Sequence, residues 1–244
     1  MGKYHRTKWS KYKVLKKSAS LVPHLPETYW MTKDTFWQLL KKYGEVIVKP
    51  TGSYGGKGVL LISARKNQQY VVHDRSVKKT IQGEEQIYAY VKKKTGKNYI
   101  AQRRIALARV GQRPFDLRVM VQRKKNSEWE ITGKLAKVAG KGYIITNRRR
   151  SNGSILPVVT AVKRSVLRNV PLEHTLHQID RLSLSVASQI RLYYPSVRTL
   201  GIDLGLDQRG KIWVIEVNFV PAVSLFRHLK DKSMYKKILS FQRR

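Results

Sequence analysis

The chain has 244 residues, of which 50 are Lys or Arg and only 15 are Asp or Glu, for a formal net charge of +35. A hydrophobic content of 41% with 27% charged residues excludes a disordered tail and leaves length for one large domain or two small ones. The absence of cysteine excludes disulfides, thiolate catalysis and Cys-containing zinc sites, and no apolar run reaches the length of a membrane span.

The opening MGKYHRTKWSKYKVLKK is basic, with no apolar stretch behind it, so it is no secretory signal, and Arg6 breaks the myristoylation pattern that Met-Gly begins. The default location is the cytoplasm. Residues 1–20 read as a basic helix or arm, and Pro23 and Pro26 mark an extended connector. A helix is predicted over 33–43, with Thr32 as N-cap, Asp34 in the first turn and Gly44 as its stop. A strand at 46–49 breaks at Pro50, and a glycine-rich loop over 51–58 leads into a second strand, 59–63. A short helix over 84–94 precedes a strand around 99–106. Residues 116–122 alternate, with Leu117, Val119 and Val121 on one side and Asp116, Arg118 and Met120 on the other, and 129–139 is another strand. Residues 147–154 form a basic loop, 171–194 is the longest helix, and a hairpin at 201–218 is followed by a helical tail after Pro221. Strands in the middle with helices around them make the class α+β.

The hairpin GIDLGLDQRGKIWVIEVN is the most informative segment. Turning it at Arg209-Gly210 sets Asp203 opposite Glu216, with Asn218 two residues further on the same face. The other face then carries Ile202, Leu204, Leu206, Trp213, Ile215 and Val217, so the register is fixed by burial. Two carboxylates directly across a ladder repel and need a cation between them. Hard oxygen donors of this kind suit Mg²⁺, which takes one or two carboxylates, waters and substrate phosphates. The competing reading is a solvated acidic face. With so few acids in the chain, the metal reading is preferred.

In the loop, Gly52, Gly55, Gly56 and Gly58 let backbone N–H groups turn inward around an anion, Ser53 adds a hydroxyl and Lys57 a charge at the tip. The spacing is neither a Walker A nor a Rossmann fingerprint. Lys49, at the strand end before the loop, is placed to reach a phosphate as a point charge. A structural hairpin loop with one more exposed lysine is the plainer alternative. Loop and carboxylate hairpin together describe an enzyme of nucleoside triphosphates.

The segments WSKYKVLKKS, LVPHLPET, VIVKPTGSYGGKGV, YIAQRRI, RPFDLRVMVQ, ITGKLAKVA with YIITN, and GIDLGLDQRGKIWVIEVNFVPA follow one another over nearly the whole chain. As a set they resemble the ATP-grasp superfamily and, within it, the YheC/YheD-type spore-coat-associated family. The resemblance implies an ATP-grasp fold, two α+β subdomains clasping ATP, without a full N-terminal domain before it. It implies a basic arm at 1–8, the ATP-grasp domain at 9–225 and a basic helical tail at 226–244. Lys49 would contact the α/β-phosphates, and Ser53, Tyr54, Gly55, Gly56, Lys57 and Gly58 would be the loop that closes over them. Gln102 and Arg103 would belong to the adenine-binding linker. Asp203, Glu216 and Asn218 would hold Mg²⁺, and Arg118 and Lys137 would be the catalytic cations near the transferred phosphate.

The implied chemistry is a ligase reaction: ATP phosphorylates a carboxylate, and an amine or similar nucleophile attacks the acylphosphate. This chain departs from the family where related ligases carry an acid in the linker, since it reads Gln102-Arg103-Arg104. It departs again after Thr146-Asn147, with Arg148, Arg149 and Arg150 in the expected acceptor region. The expected partners are therefore ATP and an anionic acceptor, such as an acidic peptide or polymer, and the expected location is cytoplasmic or spore-associated. A nucleotide-binding pseudoenzyme or scaffold on spore or envelope polyanions is a second reading. A nucleic-acid-binding protein is a third; it leaves the paired carboxylates unexplained.

Overall fold

The computed structural model describes residues 5–53, 56–143 and 152–242. Helix α1 (Lys8–Lys16) starts where the Thr7 side chain accepts the Ser10 N–H, and it buries Val14 and Leu15. Pro23 opens a short 3₁₀ turn (Val22–His24), and the chain passes Pro26 into strand β1 (Thr28–Trp30), a strand the sequence pattern does not reveal. Helix α2 (Lys33–Tyr43) has the predicted bounds: Thr32 and Thr35 close a reciprocal capping box, and Gly44 ends it.

Strands β2 (Glu45–Pro50), β3 (Leu60–Ala64), β4 (Gln69–Asp74) and β5 (Val77–Gln82), helix α3 (Glu84–Lys94) and strand β6 (Tyr99–Arg103) complete the first half. The strands form an antiparallel sheet in the order β1-β6-β2-β3-β4-β5. Phe36, Leu39 and Leu40 of α2 and Ile87 and Val91 of α3 pack on Val46, Val48, Leu60 and Ile62 of the sheet. Strand alternation therefore turns Lys49 and Gln102 to the opposite face.

The second half contains β7 (Arg109–Val110), β8 (Arg113–Gln122), β9 (Glu130–Val138), β10 (Ser154–Leu156), α4 (Val158–Lys163), α5 (Leu172–Tyr193), β11 (Thr199–Leu206) and β12 (Ile212–Asn218). A 3₁₀ segment (Val223–His228) and α6 (Ser233–Ser240) follow. Its antiparallel sheet runs β10-β9-β8-β11-β12, with β7 paired to β8. One face, carrying Phe115, Leu117, Val119, Ile202 and Leu204, is covered by α1, α4 and α5. On the other, Phe226, Leu229 and Ile238 pack on Met120 and Leu135, so β8 is buried on both sides. This arrangement explains the alternation at 116–122: one set of residues enters the large core, and the other lies partly under the C-terminal segment and partly in the site.

The hairpin differs from the simple prediction in one respect. Asp203 pairs with Glu216 as expected, but a bulge between Asp203 and Leu204 leaves Ile215 as an extra residue. Nearer the turn, Leu204 faces Val214 and Leu206 faces Ile212. Ile212 and Val214 thus enter the core, whereas Trp213 and Ile215, expected there, lie on the other side. The turn is held by Asp207, whose Oδ1 accepts N–H groups from Arg209 and Lys211 and whose Oδ2 accepts the Trp213 indole N–H at 2.9 Å. Gly210 supplies the positive φ of +83°.

Glu27 ties the connector to α2. Its carboxylate accepts the hydroxyls of Tyr29 and Tyr43 at 2.7 and 2.6 Å and the Lys42 ammonium at 2.8 Å. Partial burial raises this carboxyl, but bonds from Lys42, Tyr43 and Tyr29 reverse the effect and lower it to about 2. A carboxyl lowered on folding adds stability that is complete above its unfolded value of about 4.3 and is lost as the pH falls through the folded value. Glu27→Gln should therefore be less stable than the parent at pH 7, and urea titrations should show the gap closing between the unfolded value and about 2.

Candidate functional site

Four neighbouring strands of the second sheet carry a row of opposite charges in register. Lys137 on β9 stands across from Asp116 on β8, and Arg118 on β8 stands across from Asp203 on β11, which faces Glu216 on β12. Arg118 grips Asp203 with both prongs, Nε to Oδ1 at 2.9 Å and Nη2 to Oδ2 at 3.0 Å. Lys137 donates to Asp203 Oδ1 at 2.7 Å and lies 3.2 Å from Asp116 Oδ1. Asn218 Nδ2 donates to Asp203 Oδ2 at 3.1 Å. Gly201 permits this packing, because a Cβ there would strike Pro221 and crowd the Arg118 side chain.

The repulsion expected between Asp203 and Glu216 is thus relieved by cations of the protein. Burial raises the Asp203 carboxyl, but the charges of Arg118 and Lys137 overcome this and hold it well below the usual carboxylate range. Burial lowers Lys137 and Arg118, and Asp116 and Asp203 raise both above their ordinary values. Glu216 is met by Lys8, 3.4 Å away.

Lys8 and Lys11 come from α1, which reaches both halves of the molecule. The Lys8 backbone N–H donates to Thr51 O at 3.0 Å and its ammonium to Ser53 O, both at the start of the glycine-rich loop. Lys11 donates to Val217 O on β12 and lies 5.0 Å from the centre of the Phe219 ring. Lys49 crosses from the first sheet, donating to Gln102 Oε1 at 2.8 Å and to Ile215 O at 3.5 Å. A narrow cleft lined by Lys8, Lys11, Lys49, Gln102, Ile215 and Glu216 results. Burial lowers both Lys11 and Lys49 to about 8, against the opposing pull of Glu216. Lys8, Lys11, Lys49, Arg118 and Lys137 outnumber Asp116, Asp203 and Glu216, so the cleft is cationic.

Of the residues expected from the sequence, Lys49, Gln102, Arg118, Lys137, Asp203, Glu216 and Asn218 come together here, and Ser53 joins them through Lys8. In the loop, the Ser53 hydroxyl donates to Lys57 O at 2.9 Å, Lys57 is exposed, and Gly56 and Gly58 take positive φ. Tyr54 and Gly55 lie outside the described residues, as do Arg148, Arg149 and Arg150. Arg103 is elsewhere, its guanidinium 4.6 Å from the Tyr43 ring centre and 5.0 Å from that of Trp213. Lys8, Lys11 and Asp116 were not singled out in the sequence. Lysine carries no signal in so basic a chain, and the role of Asp116 depends on its pairing across to β9.

Among the described residues no three His, Asp or Glu side chains form a ready metal cage. The donor chemistry still fits a hard divalent ion: two facing carboxylates and an amide, with phosphates supplying the remaining oxygens. All four hydrogen bonds to Asp203 come from protein groups, so Glu216 is the more available carboxylate, and Asn218 must turn its amide to present oxygen.

This two-sheet arrangement is found in a solved structure. D-alanyl-alanine synthetase A from Vibrio cholerae superposes with a TM-score of 0.54 at 18% identity, covering 96% of this chain and 59% of that one, and the fold is the α+β ATP-grasp fold. The chain belongs to the YheC/D-like ATP-grasp family, whose signature matches residues 2–242. It is 23% identical over 231 residues to the endospore coat-associated protein YheD of Bacillus subtilis, covering 91% of this chain and 49% of that protein. Identity to YheC of the same organism, also described as endospore coat-associated, is 23% over 222 residues, 88% of this chain and 59% of YheC. The chain thus spans about half the length of the curated relatives it matches.

Replacing Asp203 by Asn leaves the buried Arg118 without its counter-ion and should cost about 3 kcal/mol in urea unfolding. Saturating pyrophosphate should restore more of this loss than an equal ionic strength of chloride.

Proposed function

We propose that the cleft binds ATP with magnesium and that the protein activates a carboxylate for attack by an amine or similar nucleophile. The observation that carries this reading is the charge row Lys137–Asp116 and Arg118–Asp203–Glu216, with Lys49 and the loop of the other half brought against it. Lys8, Lys11 and Lys49 supply point charges for phosphate oxygens. Arg118 and Lys137, held by Asp203 and Asp116, face charge developing on a transferred phosphoryl group without needing to reorganise. Glu216 and, once its amide turns, Asn218 offer the metal its protein oxygens, with Asp203 beside them. When bound, MgATP supplies a γ-phosphoryl group to the acceptor carboxylate, with ADP leaving; the nucleophile then takes the acyl group and releases phosphate. The residues bind and orient, and no acid–base pair is needed for that role.

The net charge of +35 supports an anionic acceptor, an acidic peptide or polymer. The described names of the relatives support a place of action at the spore. No helix among the described residues is long and apolar enough to cross a membrane. One feature favours a second reading, a nucleotide-binding scaffold without turnover: Asp203 already has a full set of protein donors.

MgATP at about one hundred times its Kd should raise Tm by about 5–10 °C, and in Glu216→Ala the magnesium-dependent part of that rise should vanish. An equal rise in the variant would refute the metal assignment. ADP release stimulated by an acidic acceptor supports the ligase; stable binding without ADP release across carboxylates and amines supports the scaffold.

The affinity for ADP should also fall as the pH rises above about 8, where Lys49 and Lys11 lose their protons. Calorimetric titrations at several pH values would measure this decline.

A further inference from the structure

Thr28, Gln102 and Lys49 are all buried, and the hydrogen bonds that join them have a single consistent direction. Pro26 O can only accept, so the 2.7 Å contact is donated by the Thr28 hydroxyl. That hydroxyl has one proton, so toward Gln102 it accepts, and its partner at 2.8 Å is Nε2. The amide therefore presents Oε1 to Lys49, whose ammonium can only donate. An amide orientation that is ordinarily ambiguous is thus set at the wall of the cleft by Thr28 and a backbone carbonyl.

Lys49 also differs from its neighbours. Arg118 and Lys137 each have a carboxylate at ion-pair distance, whereas among the described residues Lys49 has no ion pair and is held by the oxygens of Gln102 and Ile215. A carboxylate at position 102 would reach the same place and cancel its charge. Glutamine keeps the geometry and leaves the charge.

We infer that Thr28 and Gln102 are positioning residues of the nucleotide site, acting through Lys49: together they aim its ammonium and keep it uncompensated for phosphate. This inference rests on the nucleotide reading above.

The test is calorimetric titration of MgADP into the parent protein, Thr28→Ser, Thr28→Val and Gln102→Glu, with melting curves as a folding control. Thr28→Ser keeps the hydroxyl and should bind within about twofold of the parent, while Thr28→Val strands the buried Nε2 and should bind about tenfold more weakly. Gln102→Glu should also weaken binding at least about tenfold, through the ion pair it creates with Lys49. If the parent binds but Thr28→Val and Gln102→Glu bind equally well or better, the positioning role is wrong and the nucleotide site stands. If the parent itself does not bind MgADP, the nucleotide reading fails and this inference with it. Should Thr28→Val not fold, Gln102→Glu, close in size to the original, decides alone.

Discussion

Two carboxylates face one another across β11 and β12, and much of the molecule is arranged around the need to compensate them. Asp203 cannot remain charged in a buried sheet without cations in contact, and its neighbours in register supply them: Arg118 directly across on β8, and Lys137 one strand further on β9. Asp116 then balances Lys137. The four side chains are buried and hold one another by these contacts, so the pairs have little freedom. Their rigidity makes them suited to stabilising a charge that arrives with a ligand.

The first half of the chain meets this row through α1 and Lys49. Helix α1 contributes apolar residues to the larger core, while its lysines touch the glycine-rich loop on one side and β12 on the other. Loop and carboxylate hairpin are therefore mechanically joined by the same few residues that provide positive charge. The bulge at Ile215 takes part as well, since it brings that residue's carbonyl toward Lys49 while leaving Glu216 on the polar face. What emerges is a cationic cleft whose polar groups are oriented by buried contacts behind them.

Much of this was legible in the sequence where the signal is local. Helix α2 is bounded by its own caps, Thr32 and Gly44, and α3 by a run that begins with two acids and ends with three lysines. The pairing of Asp203 with Glu216 was expected from the turn placed at Arg209-Gly210 and is found, the bulge making up a one-residue difference in register nearer the turn. Other elements left no such mark. Strand β5 is exposed along nearly its whole length, so it has no alternation to read, and β1 is three residues beside two prolines. The bulge is invisible to a period-two pattern, and Trp213 and Ile215 were assigned to the wrong face for that reason. Lys8, Lys11, Thr28 and Asp116 take their roles from strands and helices far away in sequence.

The proposed metal end of the nucleotide cleft is Asp203, Glu216 and Asn218, with the phosphates running toward Lys49. A crystal grown with ADP and Mn²⁺ in place of Mg²⁺ tests it directly, since manganese can be located by its anomalous scattering. The account predicts a manganese peak coordinated by Glu216 and Asn218, beside Asp203, with phosphate oxygens in hydrogen-bond reach of the Lys49 ammonium. A nucleotide bound with its metal away from these residues, or a cleft that stays closed by Lys8 on Glu216 at saturating MnADP, would contradict it.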